Sequence, residues 1–183
     1  PMYDYLSRTG LPVGQRFGYD LFEFYQPGTE QRYKEKYGVD MPDQVVELRY
    51  GDAVYVDLND DGIIDQNDQK PLGYTDNPEI TWSVNASLNW KGLDFSMLWV
   101  GADNTSRALN GYYRDQFGST NTSALAQWLA DNSWTEDNPG AILPRISFTN
   151  RVHNNRDSQA WIIDSKYVRL KNLEIGYTIN KPQ

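Results

Sequence analysis

The sequence predicts an all-β fold whose antiparallel strands form part of a transmembrane β-barrel. The first observation is strict alternation of apolar and polar residues from Ile80 to Trp90. The second is that the polar side of this alternation carries no charge. The third is that none of the 9 prolines falls within residues 80–100 or 161–181. Proline is largely excluded from sheet interiors, so its absence favours strands there. These two segments are therefore the best candidates for strands.

The clearest predicted element is a hairpin that begins at residue 80. One face of its first strand is apolar and consists of Ile80, Trp82, Val84, Ala86, Leu88 and Trp90. The other face is polar and consists of Thr81, Ser83, Asn85, Ser87 and Asn89. Lys91 and Gly92 predict a tight turn. After the turn the apolar face resumes with Leu93, Phe95, Met97 and Trp99, while Asp94 and Ser96 point the other way.

Alternation alone does not separate a lipid-facing strand from a strand in a β-sandwich, whose inner face packs on a core. Trp82 and Trp90 lie eight residues apart, which corresponds to about 26 Å of strand. A tilt of about 40° converts this length to about 20 Å of height, close to the apolar band between the two aromatic girdles of an outer-membrane barrel. We therefore expect lipid contact, and packing of these tryptophans in a soluble core remains the alternative.

The other elements follow from local signals. Residues 30–36 predict a brief helix, and residues 102–160 predict a long extracellular loop with several turn signals. Within that loop Ser123 could cap a short helix at 124–130, with Leu125, Trp128 and Leu129 on its apolar edge. Residues 167–179 predict another strand, and the phase shift between residues 170 and 173 predicts a bulge.

Composition excludes several function classes. The net charge of −8 and the pI near 4.6 argue against a nucleic-acid partner. The absence of cysteine excludes disulfides, thiolate metal sites and cysteine nucleophiles. The single histidine, His153, lies in a polar context, so we expect a solvated loop residue and no catalytic triad. The 25 acidic residues form no recognisable glycosidase pair, and we expect that the chain is not an enzyme.

Residues 50–73 contain an acidic loop with the ligand spacing of a calcium site. Oxygen-bearing side chains occupy loop positions 1, 3, 5, 9 and 12, and a backbone carbonyl occupies position 7. These residues are Asp57, Asn59, Asp61, Asp65, Asp68 and, for the carbonyl, Ile63. Gly62 fills the sharp-turn position 6, but an Asp replaces the usual Glu at position 12 and no helices flank the loop. Structural Ca²⁺ and a plain run of Asx turns both remain open.

A series of short segments resembles the C-terminal barrel region of the SusC/RagA family of TonB-linked outer-membrane transporters. The matching segments follow the family's order along nearly the whole chain, although each is weak alone. They are residues 14–20 (GQRFGYD), 51–65 (GDAVYVDLNDDGIID), 78–81 (PEIT), 90–96 (WKGLDFS), 134–139 (WTEDNP) and 167–177 (YVRLKNLEIGY).

The resemblance implies a large, plugged, 22-stranded barrel in the cell outer membrane, in contact with its lipid. It further implies TonB-dependent import of an oligosaccharide or peptide, with a SusD-like surface lipoprotein that covers the pore. The TonB complex would act through N-terminal parts. We expect residues 1–183 to be a fragment of such a barrel, without the plug domain and the last strands.

A second class of function also explains the acidic loop and the aromatic residues. It is a secreted, calcium-stabilised β-sandwich that binds carbohydrate, with Trp128, Trp134 and Trp161 as exposed platforms. This alternative does not explain the uncharged strand face or the ordered family segments.

Overall fold

The computed structural model describes residues 3–115, 126–148 and 151–179. The all-β prediction is confirmed, because antiparallel strands dominate and the α-helices are short. In chain order the elements are β1 (Arg16–Tyr19), β2 (Leu21–Phe24), α1 (Thr29–Tyr37), β3 (Ala53–Tyr55), β4 (Gln69–Leu72), β5 (Ile80–Trp90), β6 (Leu93–Asp103), β7 (Ser106–Ala108), α2 (Gln127–Asn132), α3 (Arg151–Asn154), β8 (Ile162–Asp164) and β9 (Tyr167–Tyr177).

The chain divides into two compact units. The first contains Pro1–Gly73 and Ala108–Ile163, and the second contains Tyr74–Arg107 and Asp164–Gln183. Within the described residues, no helix is both long and apolar enough to span a membrane.

The second unit is built on a three-stranded antiparallel sheet in the order β5-β6-β9. The predicted hairpin is confirmed, with Trp90 opposite Leu93 across the turn. Lys91 and Gly92 both have positive φ, 47° and 87°, as a type I′ turn requires, and this turn matches the twist of the flanking strands. The predicted bulge is also confirmed, because Leu98 pairs with Asn172 and Trp99 pairs with Leu170, which leaves Lys171 without a partner.

The first unit holds the buried core of the molecule. Short antiparallel pairs, β1 with β4 and β2 with β3, frame one cluster of buried residues, namely Tyr19, Phe24, Ala53, Tyr55, Ile64 and Trp134. A second cluster comprises Leu109, Leu129, Leu143 and Trp161. Much of the segment predicted as a loop at 102–160 therefore contributes buried side chains to this core.

Two short helices were predicted, and both are present with shifted ends. The brief helix predicted at 30–36 is α1. It is capped after Tyr37 by Gly38, which has a left-handed backbone and donates its N–H to the Lys34 carbonyl. The helix predicted at 124–130 is α2, which begins and ends later. Ser123, its predicted cap, and Leu125 lie outside the described residues.

Candidate functional site

The acidic loop connects β3 to β4. Asp68, at its end, is hydrogen-bonded to the backbone near its beginning. Its Oδ1 accepts a hydrogen bond from the Leu58 N–H at 2.8 Å, and its Oδ2 accepts one from the Asp65 N–H at 2.7 Å. Asp65 in turn accepts from the Asn67 N–H at 2.6 Å, which completes a capping box around a single 3₁₀ turn. The Asp68 side chain is fully buried by this arrangement.

The first half of the loop is curled by Asp57. Its Oδ1 accepts from the backbone N–H groups of Asn59 and Asp60, and its Oδ2 accepts from the Gly62 N–H at 2.7 Å. Gly62 has a φ of 86°, the left-handed conformation expected at the sharp-turn position. Asp61 then accepts from the Ile63 N–H at 3.0 Å. The loop therefore consists of successive Asx turns, which was the plainer of the two interpretations.

Burial and neighbouring charge act against ionisation of the loop's innermost carboxylate. Burial raises the pKa of Asp68 above its ordinary value, and the negative charges of Asp57 and Asp65 raise it further, while the two backbone hydrogen bonds oppose this effect. A bound cation would relieve this repulsion. In the described residues, however, no three His, Cys, Asp or Glu side chains converge closely enough to hold a metal ion as they stand.

The donor chemistry of the loop nevertheless fits Ca²⁺. Every predicted side-chain ligand offers a hard oxygen atom, and an ionised carboxylate that accepts one N–H bond on an oxygen keeps a further lone pair there. Among the predicted ligands, Asn59 contacts two others: its backbone N–H donates to Asp57 Oδ1 at 3.1 Å, and its Nδ2 donates to Asp61 Oδ2 at 2.8 Å. Calcium binding remains a prediction.

Two supports of the loop were not found by sequence reasoning. Asp43 forms a short parallel bridge with Ile63: its N–H donates to the Gly62 carbonyl at 2.9 Å, and its carbonyl accepts from the Ile64 N–H at 3.0 Å. Tyr33 of α1 accepts from the Asp57 N–H at 3.2 Å. Both contacts join residues far apart in the chain, and no local pattern marks them.

The sheet β5-β6-β9 has one continuous apolar face that remains exposed. Val84 is 54% exposed and Leu88 is 58% exposed, although both lie within the 11-residue strand β5. The register aligns this face across all three strands in rows, which are Val84-Trp99-Leu170, Ala86-Met97-Leu173, Leu88-Phe95-Ile175 and Trp90-Leu93-Tyr177. Soluble proteins rarely leave a contiguous apolar patch of this kind open to water.

One end of the apolar face depends on a glycine. Trp82 pairs with Gly101, and a Cβ atom at Gly101 would lie 2.3 Å from the indole ring of Trp82. The indole therefore lies over the glycine backbone, which keeps Trp82 within the apolar face. An aromatic side chain that covers a cross-strand glycine is a recognised device for holding strand register.

The opposite face of the sheet is polar near the hairpin turn. Ser87 lies opposite Ser96, which lies opposite Glu174. Glu174 accepts hydrogen bonds from Ser96 Oγ at 3.4 Å and from Asn172 Nδ2 at 2.9 Å. Toward the other end of the sheet this face is less polar on β6. There the register pairs Leu98, Val100 and Ala102 with polar-face residues of β5.

Two expectations about individual residues are wrong. His153 is only 2% exposed and lies inside the core, where the Tyr55 ring contacts it in a tilted orientation at a ring-centroid distance of 5.0 Å. Trp134 and Trp161, two of the three proposed carbohydrate platforms, are 8% and 1% exposed. Trp161 donates its indole N–H to the Asn154 carbonyl at 2.8 Å. Both tryptophans therefore stabilise the core, which removes the main support for a carbohydrate-binding sandwich.

Comparisons with known proteins find two receptors that are similar to this chain. TonB-dependent receptor P3 of Formosa agariphila is 28% identical over 174 residues, which cover 95% of this chain and 16% of that protein. TonB-dependent receptor P26 of the same organism is 29% identical over 129 residues, which cover 70% of this chain and 13% of that protein. The chain is similar to TonB-dependent receptors.

Both relatives carry the name TonB-dependent receptor, and the likeness to them supports a relation to that family. No family model matches the chain. The chain spans less than a fifth of the length of either relative. An all-β, antiparallel sheet that is not closed within the described residues accords with one section of a receptor barrel.

Proposed function

We propose that the chain forms part of the barrel wall of a SusC-like transporter in the outer membrane. In this proposal the whole protein imports an oligosaccharide or a peptide in a TonB-dependent manner. A SusD-like lipoprotein works with it at the cell surface. The two receptor relatives support the TonB-dependent part. The ordered segments from residue 14 to residue 177 support the SusC/RagA assignment and, through it, the lipoprotein partner.

The observation that carries the proposal is the exposed apolar face of β5, β6 and β9. Exposure of Val84, Leu88 and Ile175 to water would be unfavourable by roughly 25 cal/mol for each Å² of apolar surface. Contact with hydrocarbon removes this cost. The opposite, partly polar face suits the wall of an aqueous lumen, because strands of outer-membrane barrels alternate between lipid and lumen.

We also propose that the acidic loop binds Ca²⁺ as a structural ion. Asp57, Asn59, Asp61, Asp65 and Asp68 would supply side-chain oxygens, and Ile63 would supply its backbone carbonyl. The cation would neutralise the repulsion that raises the pKa of the buried Asp68. Through Asp43 the same ion would brace the segment that precedes β3, since Asp43 bonds directly to the loop backbone.

Adjacent residues of β5 provide the test of membrane contact. Val84 belongs to the apolar face and is paired with Trp99, whereas Asn85 belongs to the opposite face and is paired with Leu98. Val84→Arg places a charge in hydrocarbon, at a cost on the order of 2 kcal/mol for a site inside the apolar band. We expect Val84→Arg to lower the yield of folded protein in the outer membrane, measured by heat-modifiable migration on gels.

Asn85→Arg is the matched control, because it adds the same side chain one position away on the face assigned to the lumen. We expect its folded yield to stay close to that of the parent protein. Equal losses for the two variants would contradict the assignment of the apolar face to lipid.

A further inference from the structure

The short helix α3 and the residues after it are fastened to β3 by a buried hydrogen-bond network. Asn154 accepts a bond from the Ala53 N–H at 3.0 Å through its Oδ1 and donates to Asp52 at 2.9 Å through its Nδ2. The Tyr55 hydroxyl donates to the His153 carbonyl at 2.8 Å. Each bond joins residues about a hundred positions apart, so the network is a tertiary fastening and not a local turn.

The His153 ring is part of this network, and in the described residues only one of its two nitrogens makes a hydrogen bond. Its Nε2 lies 2.7 Å from the Ala53 carbonyl, and because a carbonyl can only accept, Nε2 carries the hydrogen in the neutral ring. Its Nδ1 is buried and has no hydrogen-bond partner in the part of the chain that the structure describes. Protonation would therefore place a new N–H donor, with a positive charge, where no acceptor receives it.

The charged and titratable groups around the ring come from three segments. Asp52 precedes β3 and attracts a proton to the ring, whereas Arg156 follows α3 and repels one. Tyr55 of β3 contacts the ring face, and burial raises the pKa of its hydroxyl, so that it stays neutral. The Arg145 Nε also donates to Asp52 at 2.6 Å, so the positive charge of Arg145 offsets part of the negative charge of Asp52.

The balance of these effects favours the neutral ring. Burial lowers the pKa of His153 below its ordinary value of 6.5, and Arg156 lowers it further, while the Ala53 carbonyl and Asp52 oppose the change. The fastened state consequently binds fewer protons than a state in which the ring is released into water.

Release of this segment would open a cavity. The residues that follow α3 form one wall of a cavity of about 140 Å³, together with Phe17 and Leu72. Asp157 holds this wall in place: its carbonyl accepts from the Tyr19 N–H at 2.8 Å, and its carboxylate pairs with Arg114 at 2.8 Å. Ser158 and Trp161 complete the same wall.

We propose that His153 is an acid-sensitive latch that keeps residues 151–161 fastened to β3 at neutral pH and releases them when it is protonated. The latch is closed above about pH 6.5, where the ring is neutral in both states. It weakens as the pH falls below 6.5, because only the released ring takes up the proton readily. This inference rests on the described core contacts and is independent of transport.

Hydrogen exchange of the intact protein between pH 7 and pH 5 tests the latch. We expect the protection of peptides covering 51–57 and 151–161, corrected for intrinsic exchange, to fall by up to about tenfold for each pH unit below 6.5, as one proton allows. His153→Gln keeps an N–H donor for the Ala53 carbonyl but does not titrate, so its protection should not fall. His153→Asn serves as a second variant that does not titrate.

Val152→Gln is the matched control, because Val152 is on the same helix but is 81% exposed. It should show the same pH dependence as the parent, while the β5–β6 hairpin should show none in any variant. A parent whose 151–161 peptide shows no such fall would overturn the proposal. So would a fall of equal size in the variants without His153.

Discussion

Several buried polar contacts in the first unit converge on Asp52. Its carboxylate accepts from Arg145 Nε at 2.6 Å, from Asn154 Nδ2 at 2.9 Å and from the Arg49 N–H at 2.9 Å, and the side chain is fully buried. A buried carboxylate is stable only when its lone pairs are matched in this way. The residue therefore ties the segment before β3 to two distant parts of the chain.

Replacing Asp52 should consequently destabilise the first unit strongly. We expect Asp52→Ala to cost about 3–5 kcal/mol, because it removes a buried carboxylate that accepts from both Arg145 and Asn154. The measurement is chemical unfolding of the intact protein, with hydrogen exchange of the peptide covering 49–56 as the local readout. Asp157→Ala is the control: its carboxylate also pairs with an arginine but is 73% exposed. We expect that variant to lose less than about 1 kcal/mol, and comparable losses would contradict the importance of burial.

Single residues were the hardest features to predict from sequence. His153 was expected in solvent because its neighbours are polar, yet those neighbours, Asn154 and Arg156, turn inward to bond or contact the core. Trp134 and Trp161, which the carbohydrate-binding alternative requires to be exposed, are buried as well. Burial of a polar segment depends on partners supplied by tertiary structure, and sequence spacing carries no record of those partners.

At the scale of elements, prediction succeeded where a period was sustained. The alternation over 11 residues in β5 fixed both its extent and its two faces, and the Lys91–Gly92 turn set the register with β6. The short strands β1 to β4 escaped prediction because three or four residues are too few to establish a period. The acidic loop lies between β3 and β4, and calcium binding there stays a prediction.

The calcium proposal makes a prediction for this loop. We expect Ca²⁺ to protect residues 57–68 from proteolysis in the parent protein and not in the double variant Asp57→Asn, Asp61→Asn, which loses two charged ligands. The measurement is the rate of cleavage within the loop, with Ca²⁺ or with a chelator. Asp60→Asn is the control, because Asp60 occupies position 4, which supplies no ligand, and its protection should persist. If Ca²⁺ makes no difference to the parent, the loop is a set of Asx turns alone.

At the scale of the whole molecule, the division into two units was not visible in the sequence. The segment predicted as one long loop contributes Leu129, Leu143 and Trp161 to a buried cluster, because isolated apolar residues among turn signals gave no periodic pattern. By contrast, the exposed apolar face of the sheet was predictable, since it depends on the alternation of apolar and polar residues along β5 and β6.

Transport by the whole protein is the prediction that belongs to this scale. We expect cells that lack the protein to lose uptake of one labelled oligosaccharide or peptide, and cells that lack TonB to lose the same uptake although the protein is present. The measurement is accumulation of the labelled compound in cells matched for growth phase. Restoration by the parent and by Asn85→Arg, but not by Val84→Arg, would connect transport to the apolar face. Undiminished uptake without TonB would contradict the proposal.

The unpaired Lys171 has a consequence for how this strand tolerates change. Val168 and Leu170 precede it, Leu173 and Ile175 follow it, and all four emerge on one side only because a single surplus position resets the alternation between them. Losing or gaining one amino acid there would turn half of β9 inside out while leaving its composition almost untouched. Length at this position is therefore as strictly constrained as the identity of any side chain in the strand.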